Sequence, residues 1–400
     1  MNARLLLAAS CLFAGAADAA DFSLQGFGDV SLIVPATQGS YYYGDLGKLR
    51  YGYDDGSVTA RLSEIVAEAR VQLAPELMLT ATGRVDPYYG PIADLIETYA
   101  RYRPVSTSAW RWSVKAGAFF PPVSLENTQI GWTSPWTITP SAINSWVGYE
   151  LRTIGTEGTL AWRDAERTIA ITTAVFGWND PAGVLIADRG WSFDDRASGL
   201  FERERLPDAL GALRHTAPPF HTELFQEIDG KPGWYARGAW TEPGVGEFSL
   251  IRYDNEADPS AQRNGIFAWR TKFWNAGAST QFDNLTLLAQ ALSGSTEIET
   301  SPARRSITHF SSAYVLAGLD FDDWRLAARF DTFRTHNAMG SLMSENGTAG
   351  TLAANWFPVS WLQLTGELIV LGSARAERSL VGEQVADTER QFQLMARVFF

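Results

Sequence analysis

Apolar and polar residues alternate with a period of two in segment after segment of this chain, most plainly at its end. Counting back from the terminus, Phe400, Val398, Ala396, Leu394 and Phe392 are all apolar, with Arg397 and Gln393 among the residues between them. Side chains of a strand point alternately to its two faces, so this strand carries one fully apolar face. Chain termini of soluble domains usually fray. A closed transmembrane β-barrel, by contrast, needs such a strand, because its last strand must meet lipid on one side and pair at both edges. Taken by itself the segment also reads as the edge strand of a sandwich.

The same pattern predicts sixteen strands, over 22–34, 61–73, 77–86, 95–103, 109–119, 151–162, 168–178, 233–242, 247–254, 265–274, 280–292, 307–319, 324–334, 349–357, 360–372 and 389–400. Short connections are expected at 74–76, 104–108, 163–167, 242–246, 275–278, 320–323 and around Pro358. Long ones are expected at 35–60, 87–94, 120–150, 179–232, 255–264, 293–306, 335–348 and 373–388. Turns and long loops thus alternate, the layout of outer-membrane barrels with periplasmic turns and extracellular loops. A sandwich has no reason to alternate loop length this regularly. The expected fold is all-β: a transmembrane antiparallel barrel over 20–400, with loops 120–150 and 179–232 inserted in it.

Arg or Lys on the lipid face at mid-depth costs about 2–4 kcal/mol, so the charged face of each strand must be the lumen. This places Arg70, Arg84, Arg101, Arg111, Lys115, Arg237, Arg270, Lys272, Arg325, Arg329 and Arg397 inward, with Glu64, Glu68, Glu97, Glu157, Asp331 and Glu367 beside them. Strands 22–34, 168–178 and 247–254 read ambiguously, and their register stays open. Acids otherwise collect in the loops, among them Asp54, Asp55, Asp194, Asp195, Glu202 and Glu204. Two readings of the basic wall stand together. Rings of Arg and Lys in a pore favour anions; the same arginines also stiffen the wall by pairing with facing carboxylates.

The N-terminus is expected to be a signal peptide over 1–19. Arg4 precedes an apolar stretch, Leu5 to Ala17, too short to span a membrane, and Ala17-Asp18-Ala19 supplies small residues for cleavage. Cys11 is the sole cysteine, so the mature chain has neither disulfide nor thiolate chemistry. A lipoprotein reading of Ala8-Ala9-Ser10-Cys11 would leave a very short apolar region. The net charge of −12 argues against nucleic-acid binding. Aromatics make up 12%, with 15 Trp, which suits girdles at the two membrane interfaces.

Two loops could narrow the pore. Loop 120–150 carries Glu126 and Asn127 as constriction candidates, with Trp132, Trp136 and Trp146. Loop 179–232 is the longest; its leucines between Gly199 and Arg214 suggest a short helix, and its aromatics suggest packing over or into the mouth, or a lid. Catalytic signals are weak. His215 and His221 are six apart and fit no zinc spacing, and no nucleophile elbow, P-loop or HExxH occurs. No catalytic residue, metal or cofactor is expected.

Lys115-Ala-Gly-Ala-Phe-Phe-Pro-Pro-Val-Ser-Leu-Glu126 resembles the strand-to-loop motif of the phosphate-selective porins O and P and their relatives. Glu150-Leu-Arg-Thr-Ile-Gly155 resembles the start of that family's sixth strand, and Gly350 to Pro358 its third-last. The terminal Phe resembles the signal read by the barrel assembly machinery. The resemblance implies a sixteen-stranded trimer whose pore is narrowed by inward loops. The family's selective members also use lysines in the channel, and only Lys115 and Lys272 are placed there in this chain. The expected function is an outer-membrane porin of a Gram-negative bacterium, passing small hydrophilic solutes with modest anion preference. It would be a homotrimer among outer-membrane lipid and lipopolysaccharide. The alternatives are an outer-membrane hydrolase using His215 or His221, and a non-conducting barrel that binds a surface partner.

Overall fold

The computed structural model describes residues 21–52, 56–88, 90–208, 221–338, 340 and 343–400. The expected signal segment 1–19, Asp54, Asp55 and His215 lie outside the described residues. Twenty strands follow one another: β1 (Asp21–Val34), β2 (Thr59–Ala74), β3 (Leu77–Val85), β4 (Ala93–Tyr102), β5 (Trp110–Phe119), β6 (Thr153–Arg163), β7 (Thr168–Gly177), β8 (Arg203–Arg205), β9 (His221–Glu223), β10 (Gly233–Glu242), β11 (Gly246–Asp254), β12 (Gln262–Arg263), β13 (Ile266–Phe267), β14 (Arg270–Phe282), β15 (Leu285–Ser301), β16 (Arg304–Phe321), β17 (Trp324–Asn337), β18 (Glu345–Val359), β19 (Leu362–Arg375) and β20 (Ala386–Phe399). Sixteen of them close an antiparallel barrel; β8–β9 and β12–β13 are small ribbons within loops. Among the described residues two short α-helices, α1 (Ala142–Glu150) and α2 (Val184–Asp188), also belong to loops.

Closure joins the two ends of the chain. β20 pairs with β1 from Val34↔Phe392 to Phe27↔Phe399. One residue further, Gly26 and Phe400 exchange backbone hydrogen bonds of 2.9 and 3.0 Å. The strand proper ends at Phe399, but its ladder runs to the last residue. Gly26 is required there, since a Cβ would lie 2.3 Å from the Val66 backbone carbonyl oxygen and 2.6 Å from the Phe400 ring. Phe392, Leu394 and Val398 face outward and are exposed, as the alternation predicts. Such apolar side chains, repeated around the wall, form the belt that a bilayer covers. Trp324 and Trp356 stack at 5.8 Å at its periplasmic edge.

Three expectations along the chain change. The turn expected at 275–278 is the middle of β14, and the chain turns instead at Asp283-Asn284, with Asp283 at φ 50°. Asn275-Ala-Gly-Ala has turn chemistry, but Asn275 points inward and donates to the Val123 carbonyl at 3.3 Å. The long loop expected at 293–306 shrinks to Pro302-Ala303, because β15 and β16 continue upward as a pair. Over the described part of 199–214 a strand, β8, replaces the expected helix and pairs with β9. Propensity yields to tertiary pairing in all three.

The interior of the barrel is filled rather than hollow toward the extracellular end. Trp146 of α1 lies 5.1 Å from Phe310 and 5.5 Å from Phe273, both inward on the wall. Phe193 meets Phe333 of β17 at 5.8 Å, and Trp191 is wholly buried. Inward wall residues and loop residues therefore share one apolar core.

Candidate functional site

Loop 3, residues 120–152, leaves β5 and crosses the lumen. On the far wall Gln290 of β15 holds both edges of its first bend, donating to the Val123 carbonyl at 2.8 Å and accepting from the Leu125 N–H at 3.0 Å. Glu126 follows. One carboxylate oxygen accepts from Arg329 of β17 at 2.8 Å; the other accepts from the Ser141 N–H at 3.0 Å and Asn144 Nδ2 at 2.8 Å. Arg329 also pairs with Asp331 at 2.7 Å and donates to the carbonyls of Thr139 and Pro140 at 2.8 and 3.1 Å. Glu367 of β19 accepts the N–H groups of Ile138 and Thr139. Asp331 accepts that of Ala142, at the start of α1. A loop has no ladder to satisfy its backbone, so wall carboxylates and one guanidinium do so. On the near wall Gly131, at φ 69°, seats against Val66, where a Cβ would come within 2.9 Å of its methyl.

Loop 4, residues 178–232, lies above loop 3. Glu150 at the end of α1 accepts the N–H groups of Gly183 and Leu185 at 3.0 and 2.7 Å, so it caps α2. The acids at its centre are internal. Glu204 pairs with Arg189 at 2.8 Å, and Glu202 with Arg84 of β3 at 2.7 Å and with Arg196. Burial alone would raise the Glu202 carboxyl, but Arg196 and Arg84 hold it down at about 2. Asp194 accepts from the hydroxyls of Tyr41 and Tyr149, and Arg50 of loop 1, residues 35–58, pairs with Asp195. Lys48, also in loop 1, is fully buried; it pairs with Glu345 and donates to the Arg189 carbonyl at 2.8 Å. Burial pulls its ammonium down to about 8 despite Glu345. Arg152 reaches the carbonyls of Ile96, Gly148 and Ser198, tying loops 3 and 4 to β4.

The seventeen charged positions expected in the lumen now separate into three groups. Arg84, Arg329, Arg397, Glu64, Glu68, Glu157, Asp331 and Glu367 point inward but are buried. Arg397 grips Asp29 across the closing seam through two bonds of 2.7 and 2.8 Å. Glu97, half-buried, belongs with this first group, since it accepts the Phe120 N–H at 2.9 Å. Arg70, Arg101, Arg111, Lys115, Arg237 and Arg325 point inward in the periplasmic half; Arg70 is exposed and the other five are partly buried. Arg101 and Lys115 are direct cross-strand neighbours, and Lys115 is 3.2 Å from Glu157. Arg111 donates to backbone carbonyls at the rim, Arg70 to Glu68, Arg237 to Glu247 and Arg325 to Asp320.

Arg270 and Lys272 form the third group and correct the sequence reading. Phe273 takes the inward position on β14, wholly buried against Tyr253 at 4.9 Å, so Arg270 and Lys272 turn outward. They sit at the extracellular end of the strand, above the apolar belt, where an outward charge is not desolvated. Arg270 pairs there with Glu256 at 2.7 Å.

Beneath loop 3 a cavity of about 470 Å³ remains, between Gln25, Phe27 and Glu68 on the wall and Asn127 and Trp132 on the loop. Asn127 Oδ1 is buried with no donor, while its amide nitrogen donates to the Trp132 carbonyl. Glu126 is thus an anchor and Asn127 a lining residue, although the sequence reading treated them alike. Sequence reasoning missed Asp29, Lys48, Arg152, Arg196 and Glu345. Asp29 lies in mid-β1, whose register the sequence left open; the other four hold loop or strand-end positions that read as exposed, and nothing local in the sequence marks their burial.

His221 is exposed on β9, opposite Arg205; His309 and His336 face each other on the outer wall. Among the described residues, Asp180, Glu227 and Asp229 bring carboxylate oxygens within 4.8 Å of one another. Asp180 already accepts the N–H groups of Ile228 and Asp229, which offsets that crowding.

No family model matches the sequence, and no curated protein matches it. Solved structures do. The outer-membrane channel DcaP of Acinetobacter baumannii aligns at a TM-score of 0.56 and 10% identity, over 96% of this chain and 99% of that one. The trimer form of OmpT, an outer-membrane protein of Vibrio cholerae, aligns at 0.52 and 10%, over 96% and 100%. The anion-selective porin of Comamonas acidovorans aligns at 0.50 and 10%, over 96% and 100%. The fold is that of outer-membrane β-barrels. At these identities the likeness is one of architecture, and it covers nearly the whole of each chain.

Proposed function

We propose that the chain is an outer-membrane porin, a passive channel for small hydrophilic solutes with modest anion preference, exported by a signal segment over 1–19 and inserted by the barrel assembly machinery. One observation carries this reading: loop 3 is laid across the lumen of a sixteen-stranded barrel and fastened to the opposite wall through Glu126 and Arg329. A loop fixed in that way sieves by size, and no bond is made or broken. Anion preference is assigned to the periplasmic half, where Arg70, Arg101, Arg111 and Lys115 keep contact with water. Buried pairs such as Arg397–Asp29 cancel their own field and contribute little. The trimer form of a similarly folded protein supports a homotrimer.

A second reading is a non-conducting barrel that binds a partner at the cell surface. The core that loops 1, 3 and 4 share with the extracellular half of the wall favours it. Planar-bilayer recording of the purified protein separates the two. Stable ohmic channels with a reversal potential on the anion side support the porin, and a silent bilayer at matched protein insertion supports the plugged barrel. Hydrolysis of an ester or peptide, lost on His221→Ala, would restore the enzyme alternative.

A further inference from the structure

The outer wall of β17–β20 changes character with height. In register, Leu326, Ala354, Gly366 and Leu394 form one outward row, and Ala328, Leu352, Leu368 and Phe392 the next. Above them lie Phe330, Gly350, Val370 and Arg390, then Thr332, Thr348, Gly372 and Thr388, then Arg334, Asn346, Ala374 and Ala386. The lower rows are apolar and exposed, as lipid requires. The upper rows hold hydroxyls, an amide and arginine around small residues.

The small residues leave a depression of about 740 Å³, lined by Arg334, Thr332, Asn346, Thr348 and Thr388. Gly372 is its floor, and a Cβ built there meets nothing within 4 Å. Arg390 sits on β20 at the lower edge, level with the last apolar row, from where its aliphatic stem can run up the wall. The ion pairs that involve these strands among the described residues are Arg325–Asp320, Arg329 with Asp331 and Glu126, Lys48–Glu345, Arg375–Glu377, Arg378–Glu389 and Arg397–Asp29. Neither Arg334 nor Arg390 joins one among the described residues. Asp387 is the acid beside the depression, and its Oδ1 accepts the Thr388 N–H at 2.8 Å. Two exposed guanidinia thus stand without carboxylates at the upper rim of the apolar belt.

We propose that this depression binds the phosphate-bearing headgroup of an outer-leaflet glycolipid. Phosphate oxygens would bridge to the guanidinia of Arg334 and Arg390, sugar hydroxyls would meet the threonines and Asn346, and the acyl chains would lie on Phe330, Leu352, Leu368 and Phe392. The continuity of polar hollow and apolar wall is what favours a lipid over a free anion, for which the lower rows would have no use. The proposal rests on the outer-membrane location above, but not on conduction.

The test uses the full-length protein purified from outer membranes in mild detergent, with bound glycolipid counted by native mass spectrometry. Two variants are compared with the parent: Arg334→Gln with Arg390→Gln, which removes the charges, and Gly372→Leu, which fills the hollow where nothing obstructs a side chain. Both are expected to lose roughly tenfold or more of the bound glycolipid, while millimolar inorganic phosphate displaces none of it. Unchanged glycolipid in both variants overturns the site. Equal occupancy by inorganic phosphate alone also overturns it, in favour of a free-anion site. Cell fractionation reports separately on location, so a protein found in the outer membrane with unaltered lipid content sinks this inference and leaves the porin reading intact.

Discussion

Arg329 of β17 and Glu126 of loop 3 form an ion pair of 2.8 Å in which neither side chain has any exposed surface. They are 203 residues apart, and their bond spans the gap from barrel wall to inserted loop. Glu126→Gln leaves Arg329 its pair with Asp331 at 2.7 Å, so the cost falls on the loop contacts and stays below the roughly 3–5 kcal/mol typical of stranding a buried charge. Glu126→Gln should therefore loosen loop 3 rather than the barrel, whose ladder does not involve it. Single-channel conductance should rise and become noisier while heat-modifiable migration of the folded barrel stays as in the parent. An unaltered conductance trace would mean that the remaining wall contacts, from Gln290, Arg329, Asp331 and Glu367, hold loop 3 without Glu126.

The closing seam makes a second prediction. Phe400 contributes two backbone bonds to Gly26, and its ring covers that glycine. Deleting Phe400 should impair membrane assembly more than synthesis or export, because it removes the last ladder rung and the terminal aromatic. Pulse-chase fractionation checks this; normal insertion of the truncated chain contradicts it.

Selectivity should follow exposure rather than number of arginines. Arg101, Arg111 and Lys115 lie together on β4 and β5 and remain partly exposed, whereas Arg329 and Arg397 are buried and paired. Replacing the first three with Gln should move the reversal potential in a salt gradient toward cations. The loop acids should matter less: Glu202 and Glu204 are buried and paired with Arg84 and Arg189, and the more exposed acids are screened beyond about 8 Å at physiological salt. Should the triple variant keep the parent's reversal potential, selectivity resides elsewhere.

Loop 4 should respond to pH near Asp180. Burial, then Glu227 and Asp229, push the Asp180 carboxyl up to about 6. An unfolded Asp titrates near pH 4, so between about pH 4 and 6 the folded loop binds more protons than the released loop. Its local stability therefore falls as pH rises through that window. The amides of Ile228 and Asp229, which donate to Asp180, should exchange faster at pH 7 than at pH 5 once the intrinsic pH dependence of exchange is removed. Asp180→Asn should flatten the difference. Equal slopes in parent and variant would assign the effect to another group.

What the sequence by itself determined was the wall. A strand has a two-residue period, and lipid forbids charge on one face, so residues such as Phe392, Leu394, Arg329 and Asp331 could be assigned to a side without any contact known. The number of strands followed from the alternation of turns and loops. Only the tertiary structure decided what fills the lumen. Whether an inward arginine lines water or braces a loop depends on which distant residue meets it, as Glu126 meets Arg329 and Glu202 meets Arg84. The same holds at Arg270 and Lys272: near the end of β14 no lipid enforces the rule, and the packing of Phe273 inside the barrel sets their direction. Periodicity records the solvent on each face of a strand, and it falls silent where both faces meet water or protein.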